Sequence, residues 1–308
     1  MREKKYYIDP GFHTLKLYHP RTRSVCALRS VYWKDDPSIT GQDALEKAWK
    51  RSRGRLVYPL EKRVFDLESL PLVQSALKQV ELGMLLQPGA GVLSEVKPDA
   101  EQMSQWQTMA LRCRFSSMKP EPIRWFASEK LRFFVHAGAS HVLFVLSMHK
   151  SVIACASLQI GGRDIDRKIM TRIARKHKSM ILEEDACKLK EQASEAFKKG
   201  QNPLLSTRAL DQRGNIQTLQ IRAGDLFDIM QDVESDIALR AKKFLQRQPE
   251  GVMLQALMQP VVLSGGMALC YGMDTILSQA LASECIIPED PVNVLLHAQA
   301  GKVSADKI

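Results

Sequence analysis

The chain has 308 residues, of which 45% are hydrophobic and 25% charged, a composition that supports a large buried core and excludes a disordered chain. At about 150 residues per domain the length suggests two domains, and no run approaches the ~18 to 20 unbroken apolar residues of a spanning helix. Lys and Arg total 44 against 34 Asp and Glu, so the net charge of +10 favours anionic partners without distinguishing nucleic acid, lipid headgroups or acidic proteins.

The start, Met1 to Lys5, runs directly into the strand-like Tyr6-Tyr7-Ile8 and lacks the pattern of a cleavable signal. From Tyr6 to Tyr18 the pattern is strand, Pro10-Gly11 turn, and a second strand in which Leu15 and Leu17 alternate with polar residues. This is a β-hairpin with Asp9 at its bend. Strand character continues through Val25 to Trp33, Asp35-Asp36-Pro37 breaks it, and a basic helical segment follows from about Asp43 to Arg53. Leu70, Val73, Leu77 and Val80 predict a helix, Gly83 to Leu86 a strand, and Met103, Trp106, Met109 and Cys113 a helix capped by Asp99. Three strand candidates, 133–135, 142–146 and 152–158, joined by short turns, predict an antiparallel meander. After Gly161-Gly162 comes a helix with the seam Ile165, Ile169 and Ile173, with Asp164 and Asp166 in its first turn and Arg175, Lys176 and Lys178 at its end. Helices over about 183–199 and 224–247 flank a hairpin centred on Asp211 to Asn215. The last third reads as the buried strand Val261 to Ser264, a Gly265-Gly266 turn and a helix from about Gly272 to Ser283.

Six scattered cysteines, without a C-x-x-C pair, argue against disulfides and structural zinc and make a reducing cytoplasm the expected setting. No repeat, Rossmann fingerprint, G-x-S-x-G or helix-turn-helix spacing is present.

An acid-bearing hairpin, a second glycine turn, and a strand followed by Gly-Gly and a helix, in that order, resemble the phosphate-1, phosphate-2 and adenosine motifs of the actin and heat-shock chaperone ATPase superfamily, and most closely its bacterial MreB branch. The family's I-D-L-G-T-x-N-T is similar to Ile8-Asp9-Pro10-Gly11-Phe12-His13-Thr14, one residue shorter. Its I-G-G-D-x-F-D resembles Ile160 to Asp166, and its V-L-T-G-G-G-A-L resembles Val262 to Leu269, where Met267 replaces the third glycine. Lys188 to Glu191 resembles the helix that contacts adenine, and Glu289-Asp290-Pro291 the segment before the closing helix.

The resemblance implies an α/β, actin-like (ribonuclease H-like) duplicated two-lobed fold with a central interlobe cleft. Lobe I would span 1–130 with an outer insertion at about 31–56, and lobe II 131–290 with an insertion at about 179–245. Residues 291–308 would form a helix and tail returning toward lobe I. It further implies a site for ATP or ADP with Mg built from Asp9, Gly11, Thr14, Gly138, Ser140, Gly162, Lys190, Glu191, Gly265, Gly266 and Met267. Asp9 would hold the metal's hydration shell, while glycines let backbone N–H groups reach phosphate oxygens. Taken alone, Asp9-Pro10-Gly11 is also an ordinary turn.

The departures count as much. Where the family reads D-I-G-G-G-T-T-E this chain has Phe134 to His141, so Phe134 or His136 replaces the acid. Phe12 replaces a small hydroxyl residue and is expected to crowd the phosphate path. Glu121 is the candidate for positioning the hydrolytic water, although a surface glutamate in a Pro-bracketed loop is the plainer reading. The basic clusters Lys47 to Arg55 and Arg167 to Lys178 read as solvated helix faces more readily than as nucleic-acid or lipid sites.

The expectation is an MreB-like cytoskeletal or scaffold protein that self-assembles or joins another actin-like filament, with an eroded ATP-binding cleft and weak or absent hydrolysis. An active ATP-hydrolysing filament protein and a nucleotide-free adaptor are the alternatives, and nucleic acid is an unfavoured partner. Its expected place is the cytoplasm, with peripheral contact to the anionic inner face of the membrane as an extension.

Overall fold

A computed structural model describes residues 5–50, 55–60, 65–80, 89–94 and 100–308. The chain divides into two compact units, Met1–Trp125 with Asn293–Lys307, and Phe126–Val292 with Ile308.

The first unit opens with the antiparallel meander β1 (Lys5–Pro10), β2 (Thr14–Tyr18) and β3 (Val25–Arg29). Next come β4 (Tyr32–Trp33), β5 (Asp36–Thr40), α1 (Gly41–Lys50) and β6 (Leu56–Val57), with a small core of Val31, Trp33, Ala44, Leu45 and Ala48. Asp36-Pro37, read as a break, instead opens β5, where the Ser38 amide and hydroxyl both donate to Asp36 Oδ1. After α2 (Leu70–Val80), β7 (Gly89–Ser94), α3 (Ala100–Arg112) and β8 (Phe115–Glu121), the sheet order is β3-β2-β1-β7-β8, with β7 parallel to both β1 and β8. Ile8, Leu15 and Leu17 share one core with Leu72, Val73 and Ala76 of α2 and Trp106 and Met109 of α3, because both helices repeat their apolar residues every three to four positions. The strand expected at Gly83 to Leu86 and the Asp99 cap lie outside the described residues.

The second unit repeats this plan. Its meander is β9 (Arg132–Ala137), β10 (Val142–Met148) and β11 (Ser151–Leu158). There follow α4 (Gly162–His177), α5 (Glu183–Lys198), the hairpin β12 (Leu204–Leu210) and β13 (Ile216–Arg222), and α6 (Phe227–Gln246). The unit closes with α7 (Glu250–Leu257), β14 (Val261–Ser264), α8 (Met273–Leu281) and β15 (Cys285–Ile286). Its sheet order is β11-β10-β9-β14-β15, with β14 parallel to β9 and β15. Both sheets are therefore an antiparallel meander extended by two parallel strands, a duplication of topology that left no repeat in sequence. The last helix, α9 (Val294–Gln299), belongs to the first unit and packs Leu296 against Tyr7 and Tyr18.

Three cations of the basic face of α4 are paired with acids while staying exposed to solvent. Lys168 pairs with Asp232 at 3.4 Å, Arg172 with Asp228 at 2.7 Å and Lys176 with Asp225 at 2.6 Å, a ladder between α4 and the start of α6. In the other cluster, Lys47 lies 5.1 Å from the Trp33 ring, Arg55 pairs with Asp35, and Arg51 and Arg53 are outside the described residues. No helix among the described residues is long and apolar enough to cross a membrane.

The second core is centred on Phe133, fully buried, stacked on Phe244 at 5.6 Å and tilted against Phe144 at 6.1 Å. Phe133→Ala should cost about 3–5 kcal/mol, from lost transfer energy plus an unfilled cavity. Urea denaturation followed by far-UV circular dichroism checks this, and a change below about 1 kcal/mol would show that the layer repacks.

Candidate functional site

Eight of the predicted site residues fall on the second unit and four on the first, and each group is built from its own scaffold. In the second unit three loops meet at the carboxyl ends of β9 and β14. The β9–β10 turn closes with the Gly138 amide donating to His141 O at 2.9 Å. On this turn sits the start of α4, with the Gly162 amide donating to Gly138 O at 3.1 Å and the Arg163 amide to Ala139 O at 2.7 Å. A Cβ on Gly161 would stand 2.6 Å from both turn carbonyl oxygens, so no larger residue permits this docking.

From the other side comes β14, its Ser264 paired with His136. Gly265, at φ 89, turns the chain away so closely that an added Cβ would lie 2.3 Å from Ala137 O. Its amide donates to Pro291 O at 2.8 Å. The sequence argument that glycines bare their N–H groups for phosphate therefore fails at Gly138, Gly162 and Gly265. At Gly138 and Gly265 the small size serves close backbone approach, at Gly162 it leaves room for Lys190 and Met267, and all three amides are spent within the fold. Gly266 differs, since an added Cβ there would meet nothing within 4 Å.

Lys190, Gly162 and Met267 do come together: a Cβ on Gly162 would lie 3.1 Å from Lys190 Nζ and 3.6 Å from Met267 Cγ. Lys190 is buried and donates to Asp166 Oδ1 at 2.7 Å and to Gly162 O at 3.1 Å, so its ammonium is an internal tie. Asp166 is correspondingly no surface acid serving the helix dipole. Burial pushes its carboxyl up to about 6 against the pull of Lys190. Burial also opposes the charge of Lys190, yet Asp166, Cys187 and Cys270 outweigh it and raise the ammonium overall. Glu191 is exposed and accepts from Cys187 Sγ at 3.5 Å, and Ser140 Oγ lies 3.3 Å from His141 Nδ1.

Of the two residues aligned with the family's acid, Phe134 and His136, only His136 carries a polar group, and it is placed beside the turn. Phe134 is fully buried against Phe126 at 5.5 Å, whereas His136 Nδ1 shares a 3.0 Å hydrogen bond with Ser264 Oγ. His136 is fifth of six residues in β9, as Asp9 is in β1, and each stands two residues before its turn glycine.

In the first unit Asp9 Oδ2 accepts from Lys16 Nζ at 3.0 Å across the β1–β2 pair. The Gly11 amide donates to Asp9 O at 3.0 Å, and Ser30 Oγ donates to Gly11 O at 2.7 Å. Thr14 Oγ1 lies 3.2 Å from His13 Nδ1. The crowding expected from Phe12 is corrected: its ring is buried and stacked on Tyr58 at 6.2 Å. Glu121 ends β8, not a loop, and its carboxylate meets Lys5 at 2.5 Å and Arg124 at 3.9 Å. Among the described residues no group of three or more His, Cys, Asp or Glu is arranged to hold a metal ion.

Sequence reasoning missed Glu234 on α6, almost fully buried, with no hydrogen-bond partner for Oε1 among the described residues. Its Oε2 would lie 3.9 Å from a Cβ on Gly272 at the head of α8. Nothing in its local pattern marks it, because a glutamate inside a helix usually faces water.

Lys190→Met, which strands the Asp166 carboxyl, should destabilise the protein by about 3–5 kcal/mol, and Asp166→Leu added to it should recover much of that in chemical denaturation. Burial, helped by Asp274, pushes the Glu234 carboxyl up from 4.5 to about 7. The folded state therefore holds this proton more tightly than the unfolded chain. That stability is whole below about pH 4.5 and is lost as pH rises through about 7, up to about 3 kcal/mol. Glu234→Gln should flatten this part of the melting-temperature profile between pH 5 and 8, and superimposable profiles would contradict the assignment.

With the geometry in view, the kinship is plain. The family model described as MreB/Mbl protein matches residues 132–306. The cell shape-determining protein Mbl of Bacillus cereus is 26% identical over 157 residues, 51% of this chain and 47% of that protein. Mbl of Bacillus subtilis is 24% identical over the same length. The chain thus spans about half the length of the curated relatives it matches. Among solved structures, MreB5 of Spiroplasma citri bound to AMPPNP superposes with a TM-score of 0.80 at 15% identity, covering 96% of this chain and 94% of that one. The MamK double helical filament gives 0.71 at 15% identity, covering 97% and 98%. Those likenesses establish an actin-like fold, and the match over residues 132–306 makes the chain a member of the MreB/Mbl family.

Proposed function

We propose that the chain is an MreB-like cytoskeletal or scaffold protein that self-assembles or joins another actin-like filament, and that it binds ATP or ADP in a site with weak or absent hydrolysis. One observation carries the reading. The three loops that resemble nucleotide motifs converge at the ends of β9 and β14, with Gly266 open beside the Gly162, Lys190 and Met267 cluster. Support for a nucleotide also comes from MreB5, solved with AMPPNP and with ADP, and support for assembly from MamK, solved as a double helical filament.

The residues present fit a nucleotide better than they fit magnesium. Asp9 is neutralised by Lys16, His136 stands where an acid is expected, and Glu121 is engaged by Lys5 and Arg124. A carboxylate bound to an ammonium is a poor partner for a hydrated cation or a base for water. As paired, neither Asp9 nor Glu121 supports a hydrolytic step through magnesium. The chain's own part is to hold the base side against Met267 and Gly266, with the exposed Glu191 one residue beyond Lys190. Peripheral contact with an anionic membrane has less behind it, because Lys168, Arg172 and Lys176 already have acidic partners. A cytoplasmic location accords with the six free cysteines.

The spent amides of Gly138, Gly162 and Gly265 favour a second reading, a nucleotide-free adaptor that keeps the actin fold as an interaction surface. Thermal unfolding separates the two. ATP or ADP at about 100 times its dissociation constant should add about 2.7 kcal/mol and raise the melting temperature by a few degrees, with or without EDTA. Phosphate release should stay near background and be indifferent to Asp9→Ala. Brisk magnesium-dependent turnover abolished by that substitution would overturn weak hydrolysis, and no shift with any nucleotide would favour the adaptor.

A further inference from the structure

Glu234 of α6 is 1% exposed, and among the described residues no hydrogen bond reaches its Oε1. Its other oxygen points at the start of α8, where a Cβ on Gly272 would stand 3.9 Å from Oε2. Gly272 holds φ 89, and no side chain caps the turn that follows it. Asp274, in that first turn of α8, is the charge that faces Glu234, and it repels. The Cys270 thiol is the other titratable neighbour, and burial pushes it up to about 12, so it stays neutral. Cations of the neighbouring helices have partners of their own. Lys190 holds Asp166 and Lys198 donates to Leu269 O, while Lys168, Arg172 and Lys176 pair with Asp232, Asp228 and Asp225. The one charged residue of α7, Glu250, is exposed at its start, and β10 brings Phe144 and Leu146 to this core. A carboxylate placed here therefore has neither a donor for Oε1 nor a counter-ion, and leaving it dry is costly. Burial, with Asp274, holds the carboxyl up at about 7, so its charge appears within a few tenths of neutral pH.

We propose that Glu234 is a proton-operated latch on the head of α8: neutral, it lets Gly272 close over it, and ionised, it drives residues 270–276 open to water while the rest of the second unit stays folded. Water can reach the carboxylate by movement of this segment alone. Leu269 is 47% exposed and Tyr271 38% exposed on its outer side, whereas Leu263 before it and Leu277 after it are fully buried. The closed turn is held by few bonds, among them the Cys270 amide to Met267 O at 3.0 Å and the Ile276 amide to Gly272 O at 2.8 Å. Because the first of these reaches back into the turn Gly266–Leu269, the proton also sets how firmly the Met267 side of the candidate site is tied down. The latch goes beyond the nucleotide reading and works with that site empty.

The test is native-state hydrogen exchange of the full chain without nucleotide, with rates corrected for the intrinsic pH dependence of exchange. Between pH 6 and pH 8 the Cys270 and Ile276 amides should lose about tenfold in protection, the ratio for a carboxyl held at about 7 when closed and released to 4.5 when open. They should do so at lower protection than the amides of β14 and without response to low urea, the marks of a local opening. Glu234→Gln should abolish the drop. Asp274→Asn, which removes the facing charge and leaves Glu234 in place, should move the drop to lower pH, and it serves as the test if the glutamine variant folds poorly. The proposal is overturned by a wild type without the drop, by a drop that persists in Glu234→Gln, by an Asp274→Asn profile that coincides with wild type, or by α8 amides that exchange only together with β14.

Discussion

The close approach of Gly265 to Ala137 is the contact on which the second unit turns. Parallel pairing of β14 with β9 runs only from Val262↔Phe134 to Ser264↔His136, and then the chain must leave at φ 89 with no room for a Cβ. A side chain here would push β14 off β9 and carry with it the buried Leu263 and Met267, which belong to the same core as Phe133 and Ile169. The docking of α4 on the β9–β10 turn imposes the same restriction at Gly161. Both restrictions are steric, so they survive whatever happens to the chemistry of the site.

That durability explains what was legible in the sequence. The Ile165, Ile169 and Ile173 seam, the three-strand meander and the Gly265-Gly266 junction are local patterns set by period and backbone sterics, and all of them reappear in the fold. What escaped reading depends on distant partners. In β8, Pro120 at a sheet edge removes no ladder bond, so a proline that argued for a loop was compatible with a strand. Lys190, expected in the helix that contacts adenine, bonds at 2.7 Å to Asp166, 24 residues earlier, a partner that no local pattern shows. The amides of Gly138 and Gly162 looked available only because sequence does not show that the loops bearing them bond to one another.

The surplus of positive charge illustrates the same limit. A run such as Lys168, Arg172 and Lys176 invites an anionic ligand, and periodicity places all three on one helix face. The acids that answer them, Asp232, Asp228 and Asp225, lie about 50 to 60 residues later in the opposite chain direction. Each pair is exposed enough to contribute little stability. Their effect is instead to neutralise a stripe of positive charge that stays on the surface.

The duplicated sheets make the divergence of the two units measurable position by position. Asp9 in β1 and His136 in β9 occupy the same place before the same kind of turn, yet Asp9 meets a lysine and His136 a serine hydroxyl. Restoring an acid at position 136 alone would set a carboxylate beside the Ser264 hydroxyl without releasing Asp9 from Lys16. Each of the two positions is therefore held by a partner from its own unit, and a change at one leaves the other's contact as it is.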